Sequence, residues 1–328
     1  MKYKIFGKTR AKTSVIGLGF WQIGSTSWKG DTGKAINIVK GALDSGINFF
    51  DTAEVYGNGK SEASLGSSLR ELGMVDEAFV ATKVGGFRPT AYFIEKGVRN
   101  SIKRLGFTPF LLQLHWPPPI WIPLCELIKG LEKMVEKGYT EYVGVSNFSG
   151  RLLKSAIQCT KRYELVSNQI EYNLGFRTPE INIIPLAKKE KIEIISYSPL
   201  ARGALTGANK KETIAQKVEK KFDIIIKDKE LINTIEKISR ERRSTKSQIS
   251  LAWLLNKGVL PIPGTRKEWR VKEYAGASSI SLNKEEAHNL DEASKKYIWM
   301  WGKDYRNLRT IRYIPCVFQY IALKIIGV

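Results

Sequence analysis

Four residues of complementary type stand in three short stretches of the chain. Asp51 and Tyr56 lie in Asp51-Thr52-Ala53-Glu54-Val55-Tyr56-Gly57, Lys83 ends Ala81-Thr82-Lys83, and His115 lies in Leu114-His115-Trp116-Pro117. Each has a job if the four converge. A tyrosine titrates near pH 10 in water, about three units too high for efficient proton donation at neutral pH. An ammonium beside it favours the phenolate and lowers that value. A carboxylate beside the lysine holds the ammonium and compensates its burial. A neutral imidazole donates one hydrogen bond to an incoming carbonyl oxygen. The set suits protonation of an oxygen that becomes an alkoxide. A lone Asp–Lys pair or a lone His is more often structural; here the four types end three consecutive strand-like runs. The other histidine, His288, lies in a polar helical stretch and carries no such reading.

The elements that must position these residues come in a repeating order. Short β-branched or aromatic runs fall at 14–20, 48–54, 78–84, 111–116, 142–147, 167–172, 192–200 and 259–265. Stretches of helical period separate them, at 32–45, 61–72, 91–105, 124–137, 151–159, 180–190 and 245–256. Such alternation is the signature of βα units around a parallel sheet. Eight units over roughly 250 residues match a TIM (β/α)8 barrel, whose chemistry sits at the C-terminal ends of the strands. A doubly wound sheet would carry G-x-G-x-x-G after its first strand, and Gly17-Leu18-Gly19-Phe20-Trp21-Gln22 lacks the third glycine. Residues 2–14 read as an N-terminal hairpin turning near Gly7-Lys8-Thr9, placed to close the barrel floor. A Lys-rich connection spans 201–229. An extra helix at about 284–296 precedes a basic, aromatic C-terminal tail.

Composition sets the remaining limits. The 328 residues are 43% hydrophobic and 26% charged, which excludes a disordered chain and a fibre. Lys and Arg total 53 against 32 Asp and Glu, a net charge of +21. That excess invites a nucleic-acid reading, yet no zinc-finger spacing or arginine-rich arm accompanies it. A basic surface that attracts a polyanionic cofactor is the preferred reading, with no nucleic-acid partner expected. In the tail, Lys303, Arg306, Arg309, Arg312 and Lys324 stand against Asp304. Cys125, Cys159 and Cys316 are scattered and odd in number, forming neither a disulfide framework nor a metal site. A reducing, cytoplasmic compartment is the corresponding expectation. The apolar runs at 15–24 and 313–328 are short for a span, which needs roughly 20 residues.

Taken in order, Gly17-Leu18-Gly19, Asp51-Thr52-Ala53-Glu54-x-Tyr56-Gly57, Ala81-Thr82-Lys83, Leu114-His115-Trp116-Pro117, Gly144-Val145-Ser146-Asn147-Phe148, Tyr197-Ser198-Pro199-Leu200 and Ile262-Pro263-Gly264-Thr265-Arg266-Lys267 resemble the aldo-keto reductases. The resemblance covers about 2–296 and not the tail. It implies a TIM barrel that binds NADP(H) and reduces a small-molecule aldehyde or ketone. It implies Tyr56 as general acid, tuned by Lys83 and Asp51, with His115 orienting the carbonyl. Ser146, Asn147 and Gln169 would hold the nicotinamide carboxamide, with Tyr197 stacked on the ring and Gly19 and Trp21 beside it. Ser198, Leu200 and Gly203 would line the pyrophosphate. Thr265, Arg266 and Arg270 would take the 2′-phosphate, with Gly264 beside them at the adenosine end, and Glu273 would meet the adenine. The family often has Asn where this chain has Tyr274, which puts one adenine contact in doubt. No metal is implied.

Two further expectations concern the periphery. Trp21, Phe87, Trp116, Trp299 and Trp301 are candidates for an apolar substrate pocket. The division expected is a barrel over 1–298 and a tail over 299–328 packed on it; the competing reading lays the tail on an anionic membrane. A cofactor-sensing binding protein on the same fold is the alternative function. Oligomeric state is not legible.

Overall fold

The computed structural model describes residues 1–208, 210–302 and 309–326. Of the tail charges, Lys303, Asp304 and Arg306 and the side chains of Arg309 and Lys324 lie outside the described residues. Two short strands open the chain: β1 (Tyr3–Ile5) pairs antiparallel with β2 (Lys12–Ser14). The turn between them buries Phe6 against Phe49 and Phe110, at ring distances of 5.4 and 5.7 Å, so the hairpin plugs one end of the barrel.

Eight parallel strands follow: β3 (Leu18–Gly19), β4 (Phe49–Asp51), β5 (Phe79–Val84), β6 (Leu111–Leu114), β7 (Tyr142–Ser146), β8 (Leu165–Glu171), β9 (Glu193–Tyr197) and β10 (Leu260–Pro261). They stand side by side in chain order, and the ends of the sheet meet. Gly17 N donates to Pro261 O at 3.0 Å and Gly19 N to Pro263 O at 3.1 Å, and Gly19 bridges Gly264 in parallel. The fold is a (β/α)8 barrel. β10 is shorter than the run at 259–265 because Pro261 and Pro263 have no N–H to donate, although their carbonyls accept from the first strand's side.

Period-two alternation explains how the barrel positions polar groups. Phe49, Phe79, Ala81, Leu111, Ile195 and Leu260 fill the interior. Two residues further along the same faces come Asp51, Lys83, Gln113 and Tyr197. The intervening residues, Phe50 and Val80, face outward onto Ile38, Val39, Leu65 and Leu69 of the surrounding helices. Apolar packing thus ends where the polar rim begins, at the C-terminal ends of the strands.

Two pieces lie over the rim. The Lys-rich connection folds into a 3-10 turn (Ala201–Thr206) and helices Ile214–Lys217 and Lys220–Ile226. The tail helix Cys316–Ile326 reaches the barrel through Gln319, which accepts from Trp116 Nε1 at 3.0 Å. Trp301 Nε1 donates to Gly175 O at 2.8 Å.

One reading is corrected. Cys125 and Cys159 form a disulfide, with Cα atoms 4.9 Å apart. They are 34 residues apart in the chain, and the packing of helices Leu124–Glu136 and Gly150–Cys159 brings them together. Spacing could not show this, and the bond removes the basis for inferring a reducing compartment. No helix among the described residues is long and apolar enough to cross a membrane.

Candidate active site

β4 and β5 carry the first pair. Lys83 Nζ donates to Asp51 Oδ1 at 2.7 Å, to Thr52 O at 2.8 Å and to Tyr56 Oη at 3.3 Å. Both charged groups are buried, so the pair satisfies an ammonium that would otherwise be very costly to hold there. Tyr56 follows β4 by five residues and is fixed by the turn after it. Gly57 has φ +57°, and a Cβ there would meet Gly24 O at 2.0 Å, so only glycine lets Tyr56 sit this close to Lys83. His115, just beyond β6, lies edge-on to Tyr56 with ring centres 5.5 Å apart. All four residues meet at one point.

Sequence reasoning gave Gln169 only a cofactor role. In the structure its Nε2 donates to Asp51 Oδ2 at 2.7 Å, so Asp51 is held from both sides. Ser146 Oγ donates to Gln169 O at 2.9 Å, Asn147 Nδ2 to His115 O at 3.0 Å, and Tyr197 Oη to Asn147 Oδ1 at 2.9 Å. Residues read as separate catalytic and cofactor sets form one connected network.

Burial dominates the titration of this network. It pushes the Asp51 carboxyl up against the opposing pull of Lys83, and it pushes the Lys83 ammonium down against the pull of Asp51. His115 lies well below its usual value, first through burial and then through the Lys83 charge. Tyr56 rises well above its ordinary value through burial and then the Asp51 carboxylate, with Tyr197 adding to the rise. The Lys83 ammonium, 3.3 Å away, favours the phenolate, but Asp51 pairs with it at 2.7 Å, and burial sets the net direction, which is upward.

A cleft of about 470 Å3 runs from this network across the rim. Asp51, Tyr56 and His115 line its deep end, while Lys83 lies beneath them and does not reach its surface. The cleft is also lined by Gly19, Trp21, Ser146, Asn147, Gln169 and Tyr197, then by Ser198, Leu200 and Gly203, and finally by Gly264, Thr265, Arg266 and Arg270. Strained backbone shapes its middle: Ser198 and Arg202 have φ +47° and +55°. Arg202 also lies over Trp21, 5.6 Å from the ring centre. Its part in the cleft has no sequence signal, since the turn that places it is set by tertiary packing.

At the far end, helix Glu268–Gly276 presents its N-terminus with Thr265, Arg266 and Arg270 nearby. Thr265 Oγ1 accepts from Lys267 N at 2.9 Å, and Arg270 Nη1 approaches Glu273 Oε2 at 3.5 Å. Glu273 does not line the cleft; Tyr274 does, its hydroxyl donating to Gly264 O at 3.4 Å and its titration pushed up to about 12 by burial. The expected substrate aromatics are dispersed. Trp21 lines the cleft, Phe87 and Trp116 are buried outside it, Trp299 is exposed, and Trp301 packs near Tyr297.

A second buried pair was missed in sequence. Glu54 takes Arg88 through both carboxylate oxygens, at 2.9 and 2.5 Å, and accepts from Gly85 N at 2.7 Å. It ties the loop after β5 to the segment carrying Tyr56. Glu54 stood in a quoted motif, but its partner Arg88 is 34 residues away.

The donors of the cleft fit a dinucleotide phosphate. Amide and hydroxyl groups cluster beside Asp51, Tyr56 and His115, and Trp21 Nε1 and His115 Nδ1 are buried with no partner among the described residues. Cations and a helix N-terminus occupy the opposite end, the arrangement that suits a phosphate.

Known proteins resemble this chain over most of its length. The profile of the Aldo/keto reductase family matches residues 15–295. The aldo-keto reductase YhdN of Bacillus subtilis is 31% identical, covering 89% of this chain and 93% of its own. The aldo-keto reductase yakc [NADP(+)] of Schizosaccharomyces pombe is 30% identical, covering 85% and 88%. A solved aldo-keto reductase from Klebsiella pneumoniae in complex with NADPH superimposes with a TM-score of 0.75 at 27% identity, covering 92% of this chain and 98% of that one.

Proposed function

Because the chain belongs to the aldo-keto reductase family, we propose that it reduces an aldehyde or ketone to an alcohol with NADP(H). One observation carries the reading: the buried Tyr56–Lys83–Asp51–Gln169 network closes the deep end of a cleft whose other end is cationic. The NADP-linked yeast relative and the NADPH complex of the Klebsiella enzyme support the choice of cofactor. We take 1–298 as the catalytic barrel and 299–328 as a tail added to it.

The geometry supports the following roles. Tyr56 keeps its proton through the neutral range because burial raises it. A forming alkoxide is far more basic than a phenolate and takes that proton. Lys83, 3.3 Å from the hydroxyl, stabilises the phenolate left behind, and Asp51 with Gln169 holds Lys83 in place. His115, kept neutral, offers an N–H to the carbonyl oxygen. Ser146, Asn147 and Gln169 would hold the nicotinamide amide beside Gly19 and Trp21, Tyr197 the ring, and Ser198, Leu200 and Gly203 the pyrophosphate. Thr265, Arg266 and Arg270 would hold the 2′-phosphate, with Gly264 beside them. The bound cofactor supplies hydride from nicotinamide C4.

The test follows NADPH oxidation with a panel of aldehydes, ketones and quinones, for the unmodified chain and Tyr56→Phe. We expect turnover that falls about 10²–10⁴-fold in the variant with NADPH affinity retained. Turnover unaffected by the change would remove Tyr56 from its role. Tight NADPH binding with no turnover of any carbonyl would assign the chain to cofactor sensing.

A further inference from the structure

The reductase chemistry uses neither the tail nor the exposed aromatic residues beside it. Among the described residues, 10 of the 18 exposed large hydrophobic side chains stand on three segments where β5 and β6 end. Tyr92 and Phe93 open the helix after β5, Ile120 and Trp121 lie in the loop after β6, and the other six fall between Tyr313 and Ile321 of the tail. Exposed apolar side chains gathered at one end of the barrel mark a candidate contact surface.

The tail is held in place, so its outer face is a built surface. Gln319, buried, accepts from Trp116 Nε1 and donates to the Ile311 and Ile314 carbonyls at 2.8 Å each. Tyr320 lies 5.5 Å from Phe87, and Ile120 N donates to Arg312 O at 3.1 Å. The opposite face of the tail helix shows Val317, Phe318 and Ile321 to solvent, spaced as one helical stripe.

The charge of the tail sequence favours an anionic cover for that stripe. In sequence the segment 299–328 has five basic residues against one acidic, on a chain of net charge +21. A second copy docked symmetrically on the same patch would set basic tail against basic tail. An anionic bilayer presents the opposite sign. The helix has 11 residues, or about 16 Å, roughly half of a hydrocarbon core, so it suits lying in the interface. Trp and Tyr, present at Trp121 and Tyr313, settle at the headgroup level. We propose that this protein docks on anionic membrane surfaces through the tail helix, the start of the helix after β5 and the loop after β6.

The experiment is co-sedimentation of the full-length protein with vesicles of phosphatidylcholine containing one third phosphatidylserine. Pelleting is expected, weakened about tenfold by high salt or by vesicles of phosphatidylcholine alone. Phe318→Ser combined with Ile321→Ser, both at exposed positions, is expected to weaken it about tenfold with an unchanged unfolding temperature, and Trp121→Ser to act in the same direction. No pelleting of the unmodified protein, equal pelleting with neutral vesicles, or equal pelleting of all variants would overturn the proposal. So would a dimer in solution that the same variants break while vesicles are ignored, which would give the patch to a second copy. The readout needs no turnover, so it stands or falls separately from the assigned reaction.

Discussion

The two ends of the cleft are built in opposite ways. At the deep end the charged pair is buried and cross-linked: Lys83 has three partners, and Asp51 is held from two sides. At the outer end the hydrogen bonds of Arg266 and Arg270 are long, at 3.3 and 3.5 Å, and both side chains remain partly exposed. The deep end is pre-organised before any ligand arrives, as a site must be that acts on a transition state. The outer end supplies charge and a helix N-terminus, which suits capture of a polyanion. Substitutions at the first should therefore damage chemistry and stability together, and substitutions at the second should change affinity alone.

The largest effect is expected from Lys83→Met. It leaves Asp51 buried without its cation, so the chain should lose about 3–5 kcal/mol of stability along with nearly all turnover. Thermal unfolding beside an activity assay checks this. An intact unfolding temperature with lost turnover would mean that the deep end is not the rigid element described.

Two pH dependences sharpen the same contrast. Because Tyr56 is raised above 10.0, the reduction rate should have no alkaline fall from its ionisation below about pH 10. A fall near pH 8 that Tyr56→Phe removes would mean that the Lys83 charge outweighs burial. His115 is lowered below 6.5. Below that pH the unfolded chain takes a proton that the folded chain refuses, so stability falls as pH falls and is flat in this group above it. His115→Gln should remove that slope from unfolding curves measured across mildly acid pH.

At the outer end, Arg270→Ala should weaken NADPH by about 10–100-fold, since a hydrogen bond to a charged group contributes about 1.5–3 kcal/mol. NADH affinity and the turnover rate at saturating cofactor should hardly move. Equal loss for both cofactors would place Arg270 away from the 2′-phosphate. The smallest change is Tyr274→Phe, which removes a 3.4 Å hydrogen bond to Gly264 O; it should cost about 0.5–1.5 kcal/mol of stability, read as a small drop in unfolding temperature, with NADPH affinity changed less than in Arg270→Ala.

Much of this was legible because barrels follow a local rule. Polar residues ending β-rich runs mark the rim, and Asp51, Lys83 and His115 could be aligned from spacing alone before any fold was known. What could not be read were quantities set by distant packing. The Gln169–Asp51 bond joins residues 118 apart, and the Cys125–Cys159 bond joins helices whose contact no spacing reveals. The direction of the Tyr56 shift depends on how burial compares with a neutralised charge, which only the assembled site determines. Glu273 and Tyr274 are adjacent in sequence, yet helix rotation brings only Tyr274 to the cleft.

The central claim is tested most directly by tracing hydrogen. NADPH deuterated at nicotinamide C4 is incubated with the protein and an aldehyde that it turns over, and the alcohol is examined by mass spectrometry and NMR. The account predicts deuterium on the carbinol carbon, in one stereochemical position, with formation of the alcohol suppressed in Tyr56→Phe. Alcohol without the label, or tight NADPH binding with no alcohol from any carbonyl, would contradict it.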